Sequence, residues 1–376
     1  MQIGTELDRI KDQIRAANDS GMPVRIEGGN SKAFYGQSET KTTQPVSTRA
    51  YEGIVAYEPT ELVVTARAGT LLSTIENELA AQNQMLAFEP PRFSETTTIG
   101  GVIATGLSGP RRVSAGAARD FVLGASLINA NGDELHFGGQ VMKNVAGYDV
   151  SRLLCGSLGV LGVISQVSLK VLPVPNSDAT LQAACTQEQA LQWLNRWAGQ
   201  PLPIVASLWL NDKLTLRLAG APAAVAAAQT KLRAEAACER IDDAAALTLW
   251  ANVRDQKHLF FSAAAIIRLS LPSNAKALNA PRLSEIMIEW GGALRWLAFT
   301  NSAQALQALP ELQQAATALN GSAMLYRAQN SAQSSPLTNT SVFSPLDAMT
   351  LKLHQRLKAE FDPKGIFNPG RLHAAL

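Results

Sequence analysis

The spacing of apolar residues in the first half of the chain switches between the period of a helix and that of a strand. Residues 6–17 place Leu7, Ile10 and Ile14 on one face, which predicts an amphipathic helix. Short runs rich in Val and Ile predict buried strands at 24–26, 53–57, 62–66, 121–128, 134–137 and 162–172. Together these elements predict a mixed α/β unit.

The residues between these runs predict where helices begin and where the chain turns. Thr70 stands at the N-cap position of a helix predicted over 71–81, with Leu71, Leu72, Ile75 and Leu79 facing inward. A second helix is predicted over 148–155. Asn131-Gly132, between two apolar runs, is a strong signal for a β-hairpin.

Beyond Pro173 and Pro175 glycine becomes scarce, and strands alternate with Ala-rich helices. The predicted strands are a hairpin over 204–218 that turns at Asn211-Asp212, a strand over 263–271, and a second hairpin of 285–290 with 295–299. The predicted helices are 223–237, 303–319 and, after a polar linker at 328–340, a tail helix at 347–360. The alternation predicts an antiparallel sheet with helices on one face. We therefore divide the chain into 1–175, 176–340 and 341–376.

Composition and charge remove several classes of function. The net charge is +2 with 17% charged residues and no basic block, which argues against a nucleic-acid-binding protein. No apolar run approaches the roughly 18 residues that a membrane span needs. The three cysteines lie far apart and the four histidines are not clustered, which argues against a disulfide framework, a zinc site or an iron–sulfur cluster held by this chain. We expect an intracellular protein with no metal.

The common nucleotide and hydrolase motifs are missing from the sequence. It contains no Gly-x-Gly-x-x-Gly, no Gly-Lys pair and no Gly-x-Ser-x-Gly. The absence of these motifs from the sequence argues against a Rossmann turn, a Walker P-loop and a serine hydrolase elbow.

Glycine-rich segments carry the remaining chemical signal, because 13 of the 27 glycines fall between Gly100 and Gly162. Residues 28–32, Gly-Gly-Asn-Ser-Lys, follow a predicted strand, and their backbone N–H groups would suit a pyrophosphate. A plain turn would also explain this loop taken alone. Three further segments, at 89–110, 116–120 and 143–164, place glycine and small hydroxyl residues where backbone would approach a flat ligand.

In this order the four segments resemble the FAD-binding domain of the vanillyl-alcohol oxidase family, also called the PCMH type. The resemblance covers residues 1–175 and the tail from 346 to 372, where 362–370 matches the terminal motif of the family. It implies an α+β fold with an FAD-binding domain of two α/β subdomains. The remainder would form an α+β cap domain with an antiparallel sheet.

The resemblance also implies which residues contact the cofactor. Residues 28–32 would hold the pyrophosphate of FAD, and the segments between 90 and 108 would pass the ribityl chain and the isoalloxazine. The expected cofactor-binding residues are Gly28, Gly29, Asn30, Ser31, Lys32, Pro90, Pro91, Thr98, Gly100, Gly101, Thr105, Gly106, Ser108, Arg119, Asp120, Gly159, Gly162, Val163, Ile164 and Asn368. Members with covalent flavin carry His or Cys at set positions, and the loop at 28–32 has neither, so non-covalent FAD is expected.

Further segments, at 28–36, 109–112, 141–149 and 290–296, resemble the FAD-binding subunits of bacterial glycolate oxidase complexes. This resemblance implies oxidation of glycolate, a small 2-hydroxy acid, to glyoxylate. It implies two partners, a catalytic flavoprotein subunit and an iron–sulfur subunit that receives the electrons. We expect a cytoplasmic subunit, with docking on the inner membrane through the partners left open.

Two other functions stay open at this point. One is a stand-alone FAD-dependent oxidoreductase of another 2-hydroxy acid or alcohol, and the other is a non-catalytic structural subunit. Relatives that oxidise 2-hydroxy acids carry a His-x-Gly-Asp-Gly-Asn motif in the cap, and this sequence lacks it. The chemistry of the hydroxy acid is therefore expected to lie in the sister subunit, with no metal here.

Candidate catalytic residues in the cap region are few. Arg268 lies in an apolar strand and needs either a core carboxylate or a ligand. Trp290 and Trp296 flank a Gly-Gly turn that would either reach the flavin or pack in the core. Arg111-Arg112 is either a solvated pair or a contact for an anion.

Overall fold

The structure, a computed structural model, describes residues 3–37, 42–139, 149–278, 285–329 and 341–376. The elements that precede residue 175 are α1 (Ile3–Ser20), β1 (Val24–Glu27), β2 (Gln44–Ser47), β3 (Ile54–Glu58), β4 (Val63–Arg67), α2 (Leu72–Ala81), β5 (Gln84–Met85), α3 (Ile99–Thr105), α4 (Arg112–Ala115), α5 (Ala118–Phe121), β6 (Val122–Ile128), β7 (Glu134–Gly138), α6 (Val150–Leu153), β8 (Val163–Lys170) and β9 (Leu172–Pro173).

A five-stranded antiparallel sheet, in the order β3-β4-β8-β6-β7, forms the centre of this half. The hairpin predicted around Asn131-Gly132 is confirmed, with β6 paired to β7 and Gly132 at a φ of 75°. Helix α2 buries Leu72, Ile75 and Leu79 in the apolar core that covers one face of the sheet. The amphipathic spacing over 71–81 therefore predicted the correct packing face.

A second, smaller layer joins the two ends of the chain. Strand β1 pairs in parallel with β2, and Val24 forms a bridge with Phe367 of the tail. Ile10 and Ile14 of α1 pack with Phe367 in one buried cluster. The tail thus completes the layer that carries residues 28–32.

The elements that follow residue 175 are β10 (Ser177–Ala184), α7 (Gln187–Ala198), β11 (Ile204–Leu210), β12 (Lys213–Gly220), α8 (Pro222–Ala236), β13 (Glu239–Arg240), α9 (Asp243–Arg254), a 3-10 helix (Leu259–Ser262), β14 (Ala265–Ser270), β15 (Glu285–Glu289), a second 3-10 helix (Trp290–Gly292), β16 (Leu294–Phe299), α10 (Ser302–Ala318), β17 (Ser322–Ala328) and α11 (Ala348–Phe361). In the part of the chain that is described, no helix is long and apolar enough to cross a membrane.

The strands of this second half form an eight-stranded antiparallel sheet, in the order β13-β10-β12-β11-β15-β16-β14-β17. Side chains along β14 alternate between the two faces of the sheet. Ile267 packs with residues of α10 on one face, whereas Ile266 and Arg268 point to the other face. We call this sheet with its helices the cap. The antiparallel sheet and both predicted hairpins are confirmed.

The helices of the cap do not all lie on one face, so that prediction is wrong. Helices α7, α8 and α10 cover one face, but Trp250 of α9 belongs to the cluster on the opposite face. Its indole N–H donates to Thr180 Oγ1 at 2.9 Å. The Ala-rich sequence of α9 carried no signal for the face that it covers.

Two further predictions in the first half are corrected by the structure. Thr70 does not cap α2, whose N-cap is Leu71, because the Thr70 hydroxyl donates to the Gly53 carbonyl at 3.1 Å. The helix expected over 148–155 is one turn, Val150–Leu153, within the described residues. The motif at 141–148 lies outside the described residues.

The face of the cap sheet on which α9 lies also packs against the first half of the chain. A buried cluster there joins Tyr35, Leu107 and Leu158 to Trp290 and Trp296 of the cap. The Trp290 indole N–H donates to the Gly109 carbonyl at 3.0 Å. This interface fixes the glycine-rich loops of the first half against the cap sheet.

Candidate functional site

A cavity of about 360 Å³ opens between β1, α3, the loop before β8 and the tail. It lies within the range of small-molecule sites. The lining residues are Arg25, Ile26, Glu27, Gly28, Gly29, Asn30, Ser31, Lys32, Ala33, Tyr35, Thr43, Thr48, Ala68, Thr98, Gly100, Gly101, Ala104, Thr105, Leu158, Gly159, Gly162, Ile164, Asn368, Pro369 and Arg371. The structure therefore brings together most of the residues that the sequence singled out, from four separate segments.

The loop at 28–32 presents a run of unused backbone donors. In the described part of the chain, the N–H groups of these five residues have no hydrogen-bond acceptor. Asn30 adopts a left-handed conformation with a φ of 55°, which bends the loop. Consecutive free N–H groups in a bent loop form the kind of concavity that binds an anion.

The glycines of this loop are required by close packing. A Cβ on Gly29 would coincide with the Thr96 carbonyl oxygen, and one on Gly28 would overlap Thr98 Oγ1. The Thr96 hydroxyl donates to the Gly29 carbonyl at 2.6 Å, which holds the two segments together. Neither glycine has a positive φ, so the loop needs them for this close packing and not for a left-handed backbone.

Helix α3 forms the opposite wall through its first turn. Thr98 is its N-cap, and Thr98 Oγ1 accepts a bond of 3.4 Å from the Gly101 N–H. Gly100 packs against Ala68, and a Cβ there would lie 2.7 Å from the Ala68 methyl group. Gly101 differs, since a Cβ there would meet protein only at Thr98 Oγ1, 3.4 Å away. The missing side chain of Gly101 leaves space in the cavity that packing of the protein does not demand.

Lys32 is the least compensated cation of the cavity wall. Its residue is 8% exposed, and its ammonium has one hydrogen-bond partner among the described residues, Ser31 Oγ at 3.4 Å. The ammonium also lies 5.7 Å from the centre of the Phe93 ring. Burial lowers the pKa of Lys32 to about 7. An anion in the cavity would supply the charge that this lysine lacks.

Asn368 lines the cavity, but its amide holds the fold together. The Ile26 N–H donates to Asn368 Oδ1 at 2.8 Å, and Asn368 Nδ2 donates to the Leu158 carbonyl at 2.7 Å. Asn368 therefore ties the tail to β1 and to the loop before β8. These bonds give Asn368 a positioning role, and its expected contact with the ligand stays a prediction that its place in the cavity wall allows.

Several expected residues do not line the cavity. Pro90, Pro91 and Val163 are buried, and Gly106 ends α3 with a φ of 62°. Ser108 Oγ accepts from the Ala118 N–H at 3.0 Å, and Asp120 accepts from the Ala117 N–H at 2.8 Å, while Arg119 is exposed. Gly106, Ser108 and Asp120 thus serve turns and helix caps. Contact of these seven residues with the cofactor stays a prediction.

Other lining residues were missed by sequence reasoning. Thr43 and Thr48 flank β2, a strand whose sequence, Gln-Pro-Val-Ser, has no alternating apolar pattern. Arg371 was also missed, and its guanidinium donates to the carbonyls of Ala33 and Tyr35, the latter at 2.7 Å. Arg371 could have been found from its position directly after the terminal motif at 362–370.

The cap candidates meet at the interface between the cap and the first half. The Arg268 guanidinium carbon lies 5.3 Å from the Trp290 ring centre and 5.7 Å from that of Trp296. Within the described residues Arg268 has no ion pair, and its Nε is buried without an acceptor. Two indole rings flank the guanidinium, and no carboxylate of the described residues lies within ion-pair distance of it.

The two neighbouring arginines have different surroundings. Arg111 is buried and bridges Glu89 at 3.1 Å and Asp178 of the cap at 3.0 Å. Arg112 stacks on Trp290, with 4.4 Å between the guanidinium carbon and the ring centre. Neither arginine is a solvated residue, and Arg111 already has its anions within the protein.

Glu289 is a buried carboxyl beside these residues that sequence reasoning missed. It is 4% exposed and accepts from the Trp296 indole N–H at 2.7 Å. Burial raises the pKa of Glu289 to about 7, and the nearby Arg268 charge opposes that rise.

The residues of the cavity fit the diphosphate of a dinucleotide. Free N–H groups at 28–32 and the unpaired Lys32 suit an anion, and the gap at Gly101 suits close approach of a flat group. A two-layer α/β half, a cap sheet and such a cavity are the parts that a dinucleotide-dependent enzyme of the expected flavin class requires.

Comparison with known proteins agrees with this class. A family profile described as "FAD binding domain" matches residues 4–138, and one described as "FAD linked oxidases, C-terminal domain" matches residues 345–372. The glycolate oxidase subunit GlcE of Escherichia coli is 41% identical over 98% of this chain and 97% of its own length. The chain belongs to the family of FAD-linked oxidases that contains this subunit.

More distant relatives share part of the chain. The glycolate oxidase subunit GlcD of Bacillus subtilis is 29% identical over 47% of this chain and 37% of its own length. Among solved structures, an alkyldihydroxyacetonephosphate synthase covers 96% of this chain and 75% of its own with a TM-score of 0.68. At 14% identity this likeness concerns the fold alone, and it agrees with the expected α+β architecture.

Proposed function

We propose that the chain is the FAD-binding subunit, of the GlcE type, in a glycolate oxidase complex that oxidises glycolate to glyoxylate. The observation that carries the proposal is the match to GlcE at 41% identity over nearly the whole length of both chains. The cavity supports it by offering an anion cradle and a glycine-walled slot in the FAD-binding region.

In this proposal the cofactor is FAD held without a covalent bond. The loop at 28–32 and Lys32 bind the diphosphate, and Gly100, Gly101 and Thr105 of α3 form the wall beside it. No His or Cys occurs among the described residues that line the cavity, which supports a non-covalent site. When bound, FAD supplies a carrier that takes up two electrons and passes them on singly.

The proposed partners are a catalytic flavoprotein subunit of the GlcD type and an iron–sulfur subunit. The three cysteines of this chain are dispersed, so a cluster that receives single electrons must belong to another subunit. We place the complex in the cytoplasm, and any contact with the inner membrane would run through the partners.

Flavin content of the purified chain tests the cofactor site. We expect the full-length chain to bind FAD in a one-to-one ratio, with the flavin released into the supernatant by acid precipitation. Flavin that stays with the precipitated protein would contradict the non-covalent site. A chain that takes up no FAD would contradict the proposed function and favour a structural role.

A further inference from the structure

Lys32 has an unusual position for a lysine in the wall of a cavity. Its ammonium lies beside the Phe93 ring, the residue is 8% exposed, and Ser31 Oγ is its one hydrogen-bond partner in the described part of the chain. Lysine is rarely buried without a paired charge. In the part of the chain that is described, no acidic group thus stands ready to balance an ammonium at this position of the proposed FAD site.

The other charged groups that line the cavity are already engaged. Arg25 donates to Glu27 at 2.6 Å, so the one carboxylate among the described lining residues has its own partner. Arg371 donates to backbone carbonyls, including that of Tyr35. In the segment that carries Phe93, Arg92 pairs with Glu76. Among the described residues no charged neighbour thus offsets the burial of Lys32, and that burial lowers its pKa to about 7.

On the basis of the proposed function, we propose that Lys32 takes up a proton when the diphosphate of FAD enters the cavity. The proton passes from solvent to Lys32 Nζ, and the resulting ammonium faces the diphosphate as its cationic partner. Without the cofactor, the same side chain is largely neutral above neutral pH. The cavity then avoids holding an isolated buried charge.

Linkage fixes how FAD affinity depends on pH. A bound diphosphate raises the pKa of Lys32 above its value of about 7 in the free chain. Below that value Lys32 is protonated in both states, so FAD binding is strongest and independent of pH. As pH rises through the window between the free and bound pKa values, the dissociation constant increases by up to about tenfold per pH unit.

Calorimetric titration of the full-length apo chain with FAD measures this proton directly. Titrations in buffers with different ionisation heats give the number of protons taken up. From a free pKa of about 7 we expect about half a proton per FAD at pH 7, rising toward one at about pH 8.5. The dissociation constant should rise over the same range.

Three variants separate the proton from other effects. Lys32→Arg keeps the charge at every pH, so FAD should still bind, with no proton uptake and a flat pH profile. Lys32→Met should weaken FAD binding about tenfold or more at about pH 6 and also show no uptake. Lys213→Met, at an exposed position of the cap outside the cavity, should match the wild type in FAD affinity and in proton uptake.

The outcomes separate this inference from the proposed function. Wild-type protein that binds FAD with no proton uptake, and with constant affinity from about pH 6 to 8.5, would overturn the role of Lys32 and leave the FAD site standing. Proton uptake that persists in Lys32→Arg would assign the proton to another group and would also overturn the proposed role of Lys32. A chain that binds no FAD at any pH would overturn the proposed function itself.

Discussion

Individual glycines of the cavity do two different jobs, and the structure separates them. Gly28, Gly29 and Gly100 let chain segments of the protein touch each other, because a Cβ on any of them would overlap Thr98, Thr96 or Ala68. Gly101 instead keeps space free within the cavity. A substitution at the first group damages the fold, whereas one at Gly101 affects the ligand.

Gly101→Ala should therefore move protein stability and FAD affinity in opposite directions. The residue lies inside α3, where alanine is favoured over glycine by about 1 kcal/mol. The added methyl group would occupy the cavity and weaken FAD binding about tenfold. Thermal unfolding of the apo chain and a flavin titration measure the two effects.

Gly199→Ala is a matched control, because Gly199 ends α7 outside the cavity and its Cβ would meet only the Arg196 carbonyl at 3.9 Å. It should leave FAD affinity unchanged. A Gly101→Ala chain with unaltered FAD affinity would contradict the placement of the ligand against α3.

Glu289 should make the stability of the chain depend on pH. Its pKa is about 7 in the fold against an ordinary value of 4.5, so the folded state binds the proton more tightly. Its contribution to stability is therefore largest at low pH and falls as pH rises from 4.5 to 7. The loss should be on the order of 3 kcal/mol.

Glu289→Gln removes this titration and keeps an oxygen that accepts from Trp296. Denaturant unfolding at about pH 5 and pH 8 should show the variant gaining stability relative to wild type at the higher pH. A difference in unfolding free energy that stays constant between the two values would rule out a titrating Glu289 in this window.

At the scale of elements, the sequence predicted those with clear periodicity. The hairpin at Asn131-Gly132, the face of α2 and the antiparallel cap strands follow from local spacing and turn chemistry. Strand β2 was missed because its own sequence has no alternating apolar pattern, and its pairing with β1 appears only in the tertiary structure. Helix α9 was not predicted, and only the tertiary structure shows that its Trp250 packs on the opposite face of the cap sheet.

The residues of the site divide in the same way, into those predicted from the local sequence and those that distant segments bring to the cavity. Residues 28–32 and 98–105 were found from their own composition, since glycine and threonine are unusual in such runs. Thr43, Ala68 and Arg371 line the cavity only because distant segments fold together. The roles of Asn368 and Arg268 could not be predicted, because both depend on partners that only the tertiary structure supplies.

Helix α11 should anchor the tail through one buried lysine. Lys358 Nζ donates to Asp362 at 2.7 Å and to the carbonyls of Val160 and Phe367 at 2.7 and 2.8 Å. Lys358→Met leaves the Asp362 carboxylate buried without its cation, so we expect a loss of about 3–5 kcal/mol in unfolding free energy.

Lys352→Met, at an exposed position of the same helix, should change the unfolding free energy by less than about 0.5 kcal/mol. Denaturant unfolding of both variants checks the comparison. Equal stabilities would show that the Lys358–Asp362 pair does not anchor the tail.

At the scale of the whole molecule, four charged side chains join the cap to the first half of the chain. Arg111 and Arg217 each contact both Glu89 and Asp178, at distances between 2.8 and 3.1 Å. Glu89 and Arg111 come from the loops near the glycine-rich segments, and the other two come from the cap sheet. The network therefore holds the two halves in one relative position.

Arg217→Met should lower the unfolding free energy by about 1–3 kcal/mol, because it removes one of two cations from a largely buried cluster. Arg240→Met breaks an exposed pair with Asp243 and should cost at most about 1 kcal/mol. Urea titration of both proteins checks the difference. A smaller effect for Arg217 than for Arg240 would contradict a stabilising network.

The central claim, that this chain is the FAD-binding subunit of a glycolate-oxidising complex, is tested most directly by reconstitution. Glycolate-dependent dye reduction should be measured for the chain alone, for the proposed catalytic flavoprotein and iron–sulfur partners without it, and for all three proteins together. We predict full activity only for the three together, with most of it lost when Gly29→Arg replaces the wild-type chain. Full activity without this chain, or from this chain alone, would contradict the account.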